Sequence, residues 1–219
     1  MRSEIKHHLP QDVMAAYSAG TLAEAYSLVV ATHVSLCDQC RAELASLDAL
    51  GGALIEDVEE VAISDTALAA TMALIEMGNE KAAAAPAPKP VQGGVFPAPL
   101  ADYVGGGPDA VNWRSMGGGI KQALIPTGEG GKARLLYIPA GSKVPDHGHD
   151  GLELTLVLQG AFKDHVSRFG RGDVEVGDDD LEHVPVAEEG EDCICLAATD
   201  APLKFKALVP RMMQSILRI

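Results

Sequence analysis

The residues from 141 to 160 read Gly-Ser-Lys-Val-Pro-Asp-His147-Gly-His149-Asp-Gly-Leu-Glu153-Leu-Thr-Leu-Val-Leu-Gln-Gly. Two imidazoles stand one residue apart, with a carboxylate four residues further on. Positions i and i+2 of a strand face the same way, so His147 and His149 can present both rings to one point. Imidazole plus carboxylate oxygen suits a divalent ion such as zinc, iron, nickel or manganese. His183, in Leu181-Glu182-His183-Val184-Pro185, would supply a fourth ligand from a separate strand. Taken alone, a His-x-His pair can be two turn histidines beside a solvated glutamate. The framing glycines and the later histidine favour the metal.

A second cluster lies upstream, in His33-Val-Ser-Leu-Cys37-Asp-Gln-Cys40. In a helix, 33, 37 and 40 fall at i, i+4 and i+7 along one face. Two thiolates and an imidazole are three of the four ligands of a tetrahedral structural zinc. His7 and His8 are the other histidines of this half, and either would complete the set. The bland alternative is two free buried cysteines beside a surface histidine. A redox Cys-x-x-Cys needs a βαβ setting, which the surrounding pattern lacks. Cys193 and Cys195 flank Ile194 and so share a strand face. They read as core thiols, with an oxidant-responsive pair near the metal as the alternative. Leu68, Met72 and Ile75 at helical spacing read as core rather than a partner groove. Asp178-Asp179-Asp180 reads as a solvated turn, and His165 is given no role.

These ligands need two kinds of support. Residues 1–81 are rich in Ala, Leu, Glu and Ser and read as helices. Helical spacing runs from Asp12 to Ala19; Thr21 and Glu24 form a capping box for a second helix reaching His33. A third runs from Cys37 to Leu50 and is closed by Gly51-Gly52. A fourth starts at Ser64-Asp65. Residues 82–99 form a Pro/Ala/Gly linker, expected to be extended. Residues 100–219 hold alternating apolar runs at 120–125, 133–138, 153–158, 161–166, 173–176, 192–198 and 203–208. Short strands at such spacing predict an all-β barrel or sandwich.

Composition bounds the function. Of 219 residues, 17 are Lys or Arg and 31 are Asp or Glu, a net charge of −14. Direct nucleic-acid binding needs basic patches, so it is not expected; docking onto a basic protein is. Residues 1–85 carry thirteen acidic and four basic side chains, which makes the helical half the more acidic. No run of about 18 apolar residues and no apolar leader is present, which predicts a cytoplasmic protein with no membrane partner. Four cysteines in two close pairs do not resemble a disulfide framework.

Gly141-x5-His147-x-His149-x3-Glu153-x6-Gly160 resembles the first cupin motif, and the run from Gly172 to His183 resembles the second. The second departs from the common pattern in its turn, here Asp178-Asp179-Asp180, and in Ala187 where Asn is frequent. His-x3-Cys-x2-Cys with a distant upstream histidine resembles the zinc-binding anti-sigma fold. The pairing of the two resembles the ChrR family of anti-sigma factors over almost the whole chain. That resemblance implies a two-domain protein: an N-terminal all-α zinc-binding helical bundle and a C-terminal all-β cupin barrel. It implies zinc at His8, His33, Cys37 and Cys40, and a second ion, zinc or another divalent metal, at His147, His149, Glu153 and His183. It further implies 1:1 sequestration of an extracytoplasmic-function sigma factor, released on singlet oxygen or organic hydroperoxide through the cupin. The competing reading is a metal-dependent cupin dioxygenase with a helical zinc-binding appendage.

Overall fold

The computed structural model describes residues 4–81, 94–144, 147–148, 151–178, 182–200 and 204–205. Five helices lie in the first part: α1 (Gln11–Ser18), α2 (Glu24–Leu36), α3 (Asp38–Glu56), α4 (Ala67–Lys81) and α5 (Ala98–Val104). The strands are β1 (Arg114–Gly117), β2 (Ile120–Ile125), β3 (Lys132–Ile138), β4 (His147–Gly148), β5 (Glu153–Gln159) and β6 (Ala161–Lys163). They continue as β7 (Arg168–Gly170), β8 (Val174–Gly177), β9 (Glu182–His183), β10 (Val186–Ala187), β11 (Cys193–Thr199) and β12 (Lys204–Phe205).

Three local expectations change. The capping box does not form: α2 begins at Glu24, with no side-chain cap, and the Thr21 hydroxyl donates to the Ala16 carbonyl instead. Gly51-Gly52 does not end α3, which runs on to Glu56. Each of the two glycines costs a helix about 1 kcal/mol against alanine, which is not enough to stop one already started. The spacing of 33, 37 and 40 along one face of a single helix does not arise either, because α2 and α3 are separate, in keeping with the expected start of a third helix at Cys37. The chain breaks at Cys37, whose extended backbone is the N-cap of α3.

A six-stranded antiparallel sheet has the order β1-β2-β3-β11-β5-β8. Two three-stranded sheets, β10-β6-β7 and β12-β4-β9, complete the β unit without closing a continuous cylinder among the described residues. Every residue of β11 is buried, as is all of β5 except Gln159. Such continuous burial means that both faces of the sheet are covered. Leu135, Leu154, Leu156, Leu158, Leu196 and Ala198 face the helices, whereas Ile138, Val157, Cys193 and Cys195 face the smaller sheets with Phe162 and Phe169. Gly160 turns the chain between β5 and β6 at a φ of +65°, where a Cβ would lie 2.7 Å from the Asp192 carbonyl oxygen.

The helices are not a separate bundle with a core of their own. α2 lies across β3, β5 and β11 on one side and against α3 and α5 on the other. Ala25, Tyr26, Leu28, Val29 and Val30 therefore share one apolar cluster with the sheet leucines. The Tyr26 hydroxyl donates to the Leu152 carbonyl at 2.6 Å, so the join is polar as well as apolar. Within the stretch read as linker, Phe96 is only 1% exposed and joins the same cluster. No helix among the described residues is long and apolar enough to cross a membrane.

Candidate metal centre

Four side chains converge where the segment before α1 meets the α2–α3 break. His8, His33, Cys37 and Cys40 each offer one ligand atom, and those atoms lie within 4.8 Å of one another. His33 sits in the last turn of α2 and is fully buried. Cys37 Sγ also accepts from the Cys40 backbone N–H at 3.4 Å, so the thiol caps the helix that carries its neighbour. His8 Nδ1 stands 3.4 Å from Cys37 Sγ and 3.6 Å from Cys40 Sγ. A tetrahedron with metal–sulfur and metal–nitrogen bonds of about 2.3 and 2.05 Å has nitrogen–sulfur edges near 3.5 Å. The two His8–sulfur separations match the edges of a zinc coordination shell.

His33 fits the same purpose. Its Nδ1 lies 2.9 Å from the Gly172 carbonyl oxygen, which can only accept, so Nδ1 carries the proton. Nε2 is buried without a hydrogen-bond partner, leaving its lone pair for a cation. Burial pushes the imidazole down to about 4, which the Gly172 carbonyl and Asp173 only partly oppose, so the ring is neutral at physiological pH. Burial pushes the Cys40 thiol up to about 11, with the Cys37 thiol adding to the effect. A coordinated cation reverses that preference, because the metal-bound form of a thiol is the thiolate.

His7 is not in the cluster. Its Nε2 lies 2.9 Å from Ser167 Oγ and its ring stacks obliquely on Phe169, centroids 4.4 Å apart. The choice left open between the adjacent histidines falls to His8.

The second predicted ligand set is only partly within the described residues. In the β4–β9 pairing His147 lies directly opposite His183, so the backbone register brings these two positions together. The side chains of both, and all of His149, lie outside the described residues. Glu153 is buried and accepts from the Thr155 hydroxyl at 2.9 Å. It stands in register with Thr199 on one side and Gly177 on the other.

The pattern reading missed the polar lining of this interior. Arg134 shares the inward parity of Leu136 and Ile138 on β3, and Gln122, Thr155, Glu175 and Thr199 are likewise buried. Charges at inward positions of an alternating strand were the available signal. Arg134 donates to Thr199 Oγ1 at 3.3 Å; burial lowers its pKa while the Glu153 carboxylate raises it. Cys193 and Cys195 face this interior with their sulfurs 3.6 Å apart. The hydrogen bond from Cys193, then burial, then Glu175 and Glu153 hold the Cys195 thiol well above its ordinary range.

A third feature contradicts the core assignment of the fourth helix. Leu68, Met72 and Ile75 are 73%, 49% and 52% exposed. Leu50, Leu54, Ile55, Val61 and Ile63 are exposed as well, interleaved with exposed Glu56, Asp57, Glu59 and Glu60. Helical periodicity finds an apolar face but not what covers it. Exposed apolar surface rimmed by charge is where another molecule can dock.

Comparison with known proteins places the chain in a family. The model of the ChrR Cupin-like domain matches residues 104–202. The chain is 56% identical over 215 residues to the Anti-sigma-E factor ChrR of Cereibacter sphaeroides, covering 98% of this chain and 99% of that protein. It also resembles a chain in the crystal structure of Rhodobacter sphaeroides SigE in complex with the anti-sigma ChrR. That match has a TM-score of 0.79 and 55% identity, over 90% of this chain and 100% of the other.

Proposed function

This chain belongs to the ChrR family of anti-sigma factors, and on that premise we propose that it sequesters an extracytoplasmic-function sigma factor in a 1:1 cytoplasmic complex. The observation that carries the reading is the uncovered apolar and acidic surface of α3 and α4. The acidic side chains suit the basic, nucleic-acid-facing surfaces of a sigma factor, where charge complementarity mainly speeds encounter and sets specificity. The apolar ones supply the area to be buried. A sigma factor held there is kept from RNA polymerase.

In this reading His8, His33, Cys37 and Cys40 hold zinc. The ion supplies no redox chemistry; its ligands tie the segment before α1 to α2 and α3, at the root of the exposed arm. His147, His149, Glu153 and His183 hold a second divalent ion, zinc or another, which gives two per chain. The register of His147 with His183 and the burial of Glu153 support that set. The β unit would be needed for release on singlet oxygen or organic hydroperoxide. The Cys193–Cys195 pair beside Glu153 offers a site where an oxidant could act.

Co-purification of the full chain with its sigma factor, before and after hydroperoxide treatment, tests the proposal. Wild type should capture the factor and let it go on oxidation; Glu153→Ala should capture it and keep it. A full chain that does not retain any sigma factor would sink the sequestration reading. Oxygen uptake by the purified protein with a diketone, flavonol or thiol would favour the dioxygenase instead.

A further inference from the structure

We propose that the turn between β7 and β8 of the β unit is part of the helical zinc centre. The Gly172 carbonyl sets the tautomer and aim of His33, and Asp173 is a positioning residue for the segment that carries His8. The inference rests on zinc binding at His8, His33, Cys37 and Cys40, and adds to it a set of outer contacts from the other half of the chain.

Four observations carry it. First, the His33 Nδ1–H to Gly172 carbonyl bond is the outer-shell contact that metal-bound histidines use to fix ring orientation, and 139 residues separate the two partners. Second, Asp173 Oδ1 accepts from the backbone N–H groups of Lys6 and His7 at 2.6 and 2.9 Å, while Oδ2 accepts from Gly170 N–H at 2.8 Å. The Val174 N–H donates in turn to the His7 carbonyl at 3.2 Å, so residues 6 and 7 are pinned and His8 follows directly. Burial alone would raise the Asp173 carboxyl, but the three N–H donors and His7 hold it lowered, so the anchor is ionised.

Third, only glycine allows this approach. Gly172 has a φ of +94°, and a Cβ there would lie 2.6 Å from Ile5 Cδ1. Fourth, the turn is bonded to the β interior. Gly172 N–H donates to the Val157 carbonyl at 2.8 Å and Val157 N–H to the Asp173 carbonyl at 3.0 Å. Val157 stands in register with Cys195 across β5 and β11. A displacement of β5 at Val157 therefore moves the carbonyl that aims a zinc ligand. Zinc retention in the helical half becomes a property that the β unit controls.

The test uses the full chain loaded with zinc. Metal content is measured first; a wild type that binds no zinc removes the underlying reading, and this inference with it. Release to a chromogenic chelator is then timed for wild type, Asp173→Ala, Asp173→Asn and Arg168→Ala. The last opens the exposed Arg168–Glu188 pair on the neighbouring strand and controls for general loosening. Asp173→Ala should release zinc about tenfold faster or more, the scale on which outer-shell partners act. Asp173→Asn, which keeps an acceptor for Lys6 and His7, should fall between, and Arg168→Ala should match wild type. The cobalt-substituted Asp173→Ala protein should show shifted ligand-field bands. Nitrogen-15 spectra of wild type should find His33 protonated on Nδ1, a readout that needs no variant to fold. Full zinc occupancy with equal release rates, or His33 protonated on Nε2, would overturn the inference.

Discussion

His33 donates through Nδ1 to the carbonyl of Gly172 at 2.9 Å, so a helical side chain takes its orientation from a turn of the β unit. The bond is buried and lies inside a larger join, because α2 shares its apolar neighbours with the sheet. The join makes the two halves mechanically dependent.

One expected outcome concerns unfolding. Leu196 is fully buried between the sheet and the helices, and its replacement by alanine should cost about 2–5 kcal/mol. Trp113, the single tryptophan, packs against Tyr137 of the β unit, whereas far-ultraviolet circular dichroism follows the helices. Urea curves from the two signals should coincide and shift together in Leu196→Ala. Two separated transitions would show that the halves unfold independently.

Removing the thiols should have a graded effect. The Cys37→Ser, Cys40→Ser double variant should bind no zinc by elemental analysis and melt at a lower temperature. It should keep part of its helical signal, because α2 remains docked on β5 and β11. Complete loss of helix would mean that the ion, not the sheet, organises this half.

The exposed arm gives a test that separates binding from folding. Leu68→Asp and Ile75→Asp should each weaken sigma-factor capture by at least about tenfold, as truncating an interface anchor does. Both side chains are more than half exposed, so the melting temperature of the isolated chain should hardly move. A large drop in stability with capture intact would return these residues to the core.

Glu24 makes a pH-dependent contact at the other end of α2. Its carboxylate accepts from the Tyr103 hydroxyl on α5 and from the Gly128 N–H in the β2–β3 turn. These two bonds, the tyrosine first, hold its pKa below the ordinary 4.5. A depressed carboxylate stabilises above its unfolded value, and the contribution is lost as pH falls through the folded one. The difference in urea midpoint between wild type and Glu24→Gln should be constant from pH 7 to about 5 and close below 4.5. A gap that widens on acidification would contradict the assignment.

The convergence of the helical cluster was legible because its chemistry is local. His33-x3-Cys37-x2-Cys40 carries its meaning in spacing, and the strands expected at 120–125 and 153–158 theirs in alternation. What was not legible depends on distant residues. The choice of His8 over His7 is set by Asp173, 166 residues from His7, which holds His7 against the sheet. The apolar face of α4 has the periodicity of a core helix, and only the fold shows it uncovered. Phe96 sits among prolines and glycines, yet its ring is buried because α5 starts two residues later and docks on α2. In each case the outcome turns on what the fold places, or does not place, against the residue, which local spacing does not carry.

The uncovered arm has a consequence for the lifetime of the inhibitor. Leu54, Ile55, Val61, Ile63 and Leu68 in water make the unpartnered chain a ready substrate for proteases and for self-association. A sigma factor seated there would shield the same residues from both. Release would then start a clock on the inhibitor, and each departure of the partner would tend to become permanent through destruction of what had held it.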